Sequence, residues 1–185
     1  MDEALDKAIR VFREQGYYAT SIGALGAAMG LTSGSIYKAF ADKRAVFVAA
    51  LGRYTSARNA QLRRTAATAK PGRERLRDVL GFYVESAQGV EGRRGCLIVG
   101  TATQLATFDA EIAAQVADAL RKNQGFLAEL IRQGQADGSI GSHVDADATA
   151  RVIACMTQGL RVIGKTGRTR AELADFVEIA LKLLA

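Results

Sequence analysis

Seven residues in the stretch of 24 from Thr20 to Lys43 carry the most suggestive chemistry in this 185-residue chain: Thr32, Ser33, Gly34, Ser35, Tyr37, Lys38 and Lys43. Thr32, Ser33 and Ser35 offer hydroxyls at the start of a short helix, where free backbone N–H groups also favour phosphate. Gly34 lets a backbone approach closely. Tyr37 reaches phosphate with its phenol, and Lys38 reaches either phosphate or guanine O6/N7. Lys43 falls in the first turn of the next helix, where a cation is mildly unfavourable to the helix dipole unless an anion lies nearby. These groups bind anions; they do not form an acid–base or nucleophilic set. The two short helices around Met29-Gly30-Leu31-Thr32 have the proportions of a helix-turn-helix, whose second helix enters a DNA major groove. Simple helix packing around a glycine is the plainer alternative.

Other chemistry is sparse. The single histidine and two cysteines 59 positions apart give no disulfide framework, zinc cluster or triad. His143, Asp145 and Asp147 are spaced for capping after a loop better than for a metal, so no metal or cofactor is expected. Cys96 and Cys155 read as apolar packing residues, with oxidant sensing as the alternative. The start, Asp2-Glu3 followed by an amphipathic run, is unlike a secretory signal, and no apolar run approaches the roughly 20 residues of a membrane span. A cytoplasmic protein without a membrane partner is expected.

The net charge of +6 is unevenly placed. Residues 55–77 hold Arg58, Arg63, Arg64, Lys70, Arg73, Arg75 and Arg77 against Glu74 alone, whereas residues 78–185 carry 11 basic and 13 acidic side chains. Such asymmetry points to a polyanion partner or to a solvated helix face, and charge does not choose between them.

The elements that must position these groups are helices. Apolar residues recur at helical spacing and no stretch alternates like a strand. About nine helices are expected. The first covers 3–15 and stops at Gly16, and the second is capped near Thr20 and ends at Gly30. Thr32 caps the third; Asp42 caps the fourth, which reaches about 68. After the Lys70-Pro71-Gly72 break comes a fifth helix around 76–84, then a loop from Gly89 to Gly95. The sixth spans about 96–106 and the seventh 109–136. Asp145 or Asp147 opens the eighth. A capping box, Thr169-Arg170-Ala171-Glu172, opens the ninth, with Leu173, Phe176, Val177, Ala180, Leu181 and Leu184 on one stripe.

Gly16-Tyr17-Tyr18-Ala19-Thr20-Ser21-Ile22, Met29-Gly30-Leu31-Thr32, Gly34-Ser35-Ile36-Tyr37, Phe40 and Asp42-Lys43 together resemble the DNA-binding domain of TetR-family transcriptional regulators. Arg94-Gly95-Cys96-Leu97 with Ala102 to Leu105 is similar to one subgroup. The resemblance implies an N-terminal helix-turn-helix domain, here 1–54 with the fourth helix continuing. It implies a C-terminal helical bundle, 55–185, for ligand binding and dimerisation. It also implies that Thr32, Ser33, Gly34, Ser35, Tyr37, Lys38 and Lys43 contact DNA, with Thr20 on phosphate. The subgroup's basic tail before the first helix has no counterpart in Asp2-Glu3.

The resulting expectation is an all-α homodimeric regulator, not an enzyme. It is a repressor released from a pseudo-palindromic double-stranded operator by a small organic effector. The last two helices, with Gly159 permitting close approach, form the dimer interface. The fifth to seventh helices enclose the effector, with Tyr83, Thr101, Thr103, Gln104, Asn123, Phe126, Met156 and Gln158 as candidate contacts. Two rivals remain at this stage: a non-specific nucleic-acid binder using 55–77, and a helical-bundle enzyme acting on an apolar substrate. The latter has no metal pattern, nucleophile elbow or phosphate loop behind it.

Overall fold

The computed structural model describes residues 1–184, and among them the regular structure is entirely helical. Ten α-helices run in the order α1 (Asp2–Ala19), α2 (Ile22–Met29), α3 (Ser33–Ala39), α4 (Lys43–Ala66), α5 (Gly72–Ser86), α6 (Gly89–Arg94), α7 (Leu97–Gln104), α8 (Ala110–Ala136), α9 (Ala146–Gly164) and α10 (Phe176–Leu181). Short 3₁₀ turns occupy Ala171–Leu173 and Lys182–Leu184.

Local signals set most of these boundaries. Thr32 caps α3 by accepting from the Ser35 N–H, Asp42 caps α4 through the Ala45 N–H, and Asp145 caps α9 through the Asp147 and Ala148 N–H groups. Four expectations need correction. Cys155, expected to pack in the apolar interior, is exposed. The cap of α2 is Ser21, which accepts from the Ala24 N–H, and not Thr20. The expected loop from Gly89 to Gly95 is largely the short helix α6. The last expected helix is interrupted: the Thr169–Glu172 capping box forms, but only a 3₁₀ turn follows before α10.

The chain forms two compact units, and they do not follow chain order. Residues 1–58 with 94–116 make one; residues 59–93 with 117 onward make the other. The first unit is built on Leu5, Ala8, Ile9, Phe12, Leu25, Ile36, Val46, Phe47, Ala50 and Leu51, all buried. Phe12 meets Phe47 edge-on at 4.9 Å between ring centres, and Tyr17 packs on Phe47 at 5.1 Å. Segment 94–116 joins this unit by polar struts. Arg13 donates twice to the Gly95 carbonyl, at 2.9 and 2.7 Å, and Arg94 pairs with Glu14 at 2.9 Å.

The second unit has a separate apolar core from α5, the end of α4, α8, α9 and α10, including Leu62, Leu76, Leu80, Tyr83, Leu127, Ile131, Ile153, Leu160 and Leu181. Helix α9 has two apolar faces. Ala150, Ile153, Thr157 and Leu160 are buried, whereas Val152, Val162 and Ile163 are exposed. In the last segment the exposed apolar residues are Ile179 and Leu183. The expected stripe positions Leu173, Ala180, Leu181 and Leu184 lie in the core.

Candidate nucleic-acid interface

Helices α2 and α3 meet through a turn that only particular residues allow. Gly30 sits at φ 71°, ψ 33°, a left-handed conformation that costs glycine little. Gly26 faces the turn so closely that a Cβ there would lie 2.7 Å from the Leu31 carbonyl oxygen. The Leu31 N–H donates to the Gly26 carbonyl at 2.9 Å, closing the turn. Ile36 is fully buried and holds α3 against the unit.

With Ile36 inward, Thr32, Ser33, Gly34, Ser35, Tyr37 and Lys38 are all exposed. Tyr37 stands 54% exposed. The side chains of Ser33, Tyr37 and Lys38 have no hydrogen-bond or ion-pair partner among the described residues. Thr32 and Ser35 are coupled to each other, their hydroxyl oxygens 2.9 Å apart. Six of the eight expected contacts are therefore exposed on α3 and its N-cap.

Thr20 and Lys43 behave differently. Thr20 is 1% exposed, and its hydroxyl donates to the Gly16 carbonyl at 2.6 Å. That hydroxyl is not presented to a phosphate, because burial and an internal acceptor have claimed it. The Lys43 ammonium donates to the Tyr17 and Thr20 carbonyls at 3.0 and 2.9 Å and lies 4.4 Å from the centre of the Tyr17 ring. Lys43 is thus first a strut from α4 to the end of α1. Burial pushes the Tyr17 phenol above its usual range, with Asp42 adding to the effect.

No local sequence signal marks the neighbouring Arg44. Its guanidinium donates to both carboxylate oxygens of Asp109, at 2.6 and 2.9 Å, and to Glu111 at 2.7 Å. The Arg44 bonds, with help from the Ile112 N–H, hold the Asp109 carboxyl down to about 2.

Four cations of the basic 55–77 segment are engaged inside the second unit. Arg63 lies over Phe126, 5.2 Å from the ring centre, with Glu129 at 3.9 Å. Lys70 pairs with Asp78 at 2.7 Å, Arg73 donates to the Leu181 carbonyl, and Arg77 pairs with Glu74 and Glu178.

The expected effector contacts divide between the two units. Thr101, Thr103 and Gln104 belong to the first, and Tyr83, Asn123, Phe126, Met156 and Gln158 to the second. Thr101 is buried with its hydroxyl on the Leu97 carbonyl, while Thr103 and Gln104 are exposed. In the second unit the Tyr83 hydroxyl donates to Asn123 Oδ1 at 2.7 Å, and Asn123 Nδ2 is buried without a hydrogen-bond partner among the described residues. Phe126 also lines a cleft of about 380 Å³ with Asn59, Leu62, Arg63, Lys122, Gly125 and Glu129. No helix among the described residues is long and apolar enough to cross a membrane.

Comparison with known proteins agrees with this geometry. Residues 4–50 match the family described as bacterial regulatory proteins, tetR family, and residues 72–180 match the tetracyclin repressor-like C-terminal domain. The transcriptional repressor ComR of Escherichia coli (strain K12) is 27% identical over 186 residues, covering 98% of this chain and 87% of ComR. The regulator YezE of Bacillus subtilis (strain 168) is 26% identical, covering 97% of this chain and 93% of YezE. Among solved structures, a cysteine variant of the TetR-family regulator CifR in complex with a 26-bp double-strand operator superimposes with a TM-score of 0.87. It shares 30% identity and covers 98% of this chain and 95% of that one. The N-terminal match covers α2 and α3, the C-terminal match runs from α5 into α10, and the chain belongs to the TetR family of transcriptional regulators.

Proposed function

We propose that the protein is a cytoplasmic repressor that binds a pseudo-palindromic operator as a homodimer and leaves it when a small organic molecule binds the C-terminal region. It acts by binding and not by catalysis. The observation carrying this reading is the exposed face of α3: Ser33, Tyr37 and Lys38 have no partners among the described residues, while Ile36 anchors the helix. Residues 1–54 are the DNA-reading part, with Thr32, Ser33, Gly34, Ser35, Tyr37 and Lys38 as contacts. CifR was captured on operator DNA and ComR is described as a repressor, which supports the same assignment here.

Exposed Val152, Val162 and Ile163 on α9, with Ile179 and Leu183 near the C-terminus, form the apolar surface for the second copy. Gly159 is exposed and has open space where a Cβ would stand, so a partner helix can approach. The effector contacts are Tyr83, Asn123, Phe126, Met156 and Gln158. Asn123 Nδ2, a buried donor without a partner among the described residues, is suited to an effector oxygen.

Selection of bound duplexes from random sequence tests this reading. The protein should enrich a pseudo-palindrome whose half-site centres lie about 34–36 Å apart or somewhat more. Val162→Asp with Ile179→Asp should give monomers that bind the selected duplex poorly. A monomeric parent in sedimentation, or no enriched sequence, contradicts it.

A further inference from the structure

We propose that Arg44 and Asp109 are positioning residues for DNA recognition: their ion pair fixes the first turn of α4 and, through it, the pitch of α3. The proposal rests on α3 being the DNA-reading helix. Only Phe40, Ala41 and Asp42 connect α3 to α4. The Phe40 N–H still donates to the Ile36 carbonyl, and Asp42 already caps α4. Little slack remains in this link, so the direction of α4's first turn sets the direction of α3.

Two successive residues of that turn reach in different directions. Lys43 ties it to the Tyr17 and Thr20 carbonyls. Arg44 ties it to Asp109 and Glu111 at the start of α8. The acceptor is itself fixed, because Asp109 Oδ1 accepts from the Ile112 N–H at 3.1 Å and the Asp109 carbonyl from the Ala113 N–H at 2.8 Å. A bidentate guanidinium–carboxylate pair constrains angle as well as distance. The Arg44 side chain is 40% exposed, and exposed pairs add little stability. What this pair supplies is geometry. Both partners lie in the same compact unit, since residues 94–116 belong with residues 1–58.

The test uses the full chain with Asp109→Asn, which retains a capping side chain for α8, with Glu111→Gln as a milder second variant and with Arg44→Met. Amide hydrogen exchange of the free protein should speed up over residues 33–43 in Asp109→Asn and Arg44→Met while core helices keep their protection. Affinity for the selected duplex should fall roughly threefold to thirtyfold in each, with the double variant no weaker than the singles. Arg44→Lys should recover part of the loss. Parent-like exchange over 33–43 overturns the proposal. So does tighter DNA binding by Asp109→Asn or Glu111→Gln, which would mean that the acidic pair holds Arg44 away from phosphate. The exchange measurement needs no DNA, so its outcome is separate from whether α3 reads an operator.

Discussion

Helix α3 and the segment 55–77 invert the expectation that charge alone creates. The segment holds seven cations and one anion, whereas α3 holds a single cation, Lys38. Yet Lys38 is exposed and unpartnered among the described residues, while Arg63, Lys70, Arg73 and Arg77 are engaged with carboxylates, a carbonyl and an aromatic ring. Partnering, and not linear density, separates the two regions, although the Arg63 and Lys70 side chains are themselves 64% and 52% exposed. Lys43 makes the same point at closer range. Five residues after Lys38, it is committed to two backbone carbonyls.

The largest effect should come from breaking this contrast at α3. Lys38→Ala and Tyr37→Ala should each weaken binding to the selected duplex tenfold or more with an unchanged melting temperature, since a charge-assisted contact is worth about 1.5–3 kcal/mol. If Lys38 sits on phosphate, its removal should also reduce the slope of log affinity against log salt by about 0.9. If it reads a base edge, the preferred sequence should change instead. Arg63→Ala with Lys70→Ala should alter affinity less than about twofold and leave the salt slope nearly unchanged, because those cations already face internal partners. A loss as large as that of Lys38→Ala would return the basic segment to the interface.

Much of the fold was legible in the sequence because its signals are local. Thr32, Asp42 and Asp145 cap helices through N–H groups two or three residues away, so a short window contains both partners. The exposed set on α3 was legible for the same reason: one buried Ile36 fixes which neighbours face outward. The roles of Thr20, Lys43 and Arg44 were not. Lys43 and Arg44 depend on groups brought close by tertiary packing, 65 residues away for Arg44, and Thr20 depends on its burial, although its acceptor is only four residues back. The packing of 94–116 with the N-terminal helices is likewise non-local. The C-terminal stretch misled for another reason, since a capping box can form and still be followed by a single 3₁₀ turn.

A smaller effect concerns pH. The Asp109 carboxyl titrates near 2 in the folded chain, below its ordinary value near 4, because Arg44 and the Ile112 N–H favour the carboxylate. Its contribution is therefore complete above the ordinary value and is lost as pH falls toward 2. The difference in melting temperature between parent and Asp109→Asn should stay flat from pH 8 to 5 and shrink below about pH 4. A difference that changes between pH 5 and 8 would mean that another group controls this contact.

The most direct test of the central claim is amide hydrogen exchange of the whole chain with and without the selected duplex. The account predicts new protection over residues 32–43, the span of α3 and the first turn of α4, with exchange over 55–77 unchanged. Protection confined to 55–77, with 32–43 exchanging as in the free protein, would contradict it.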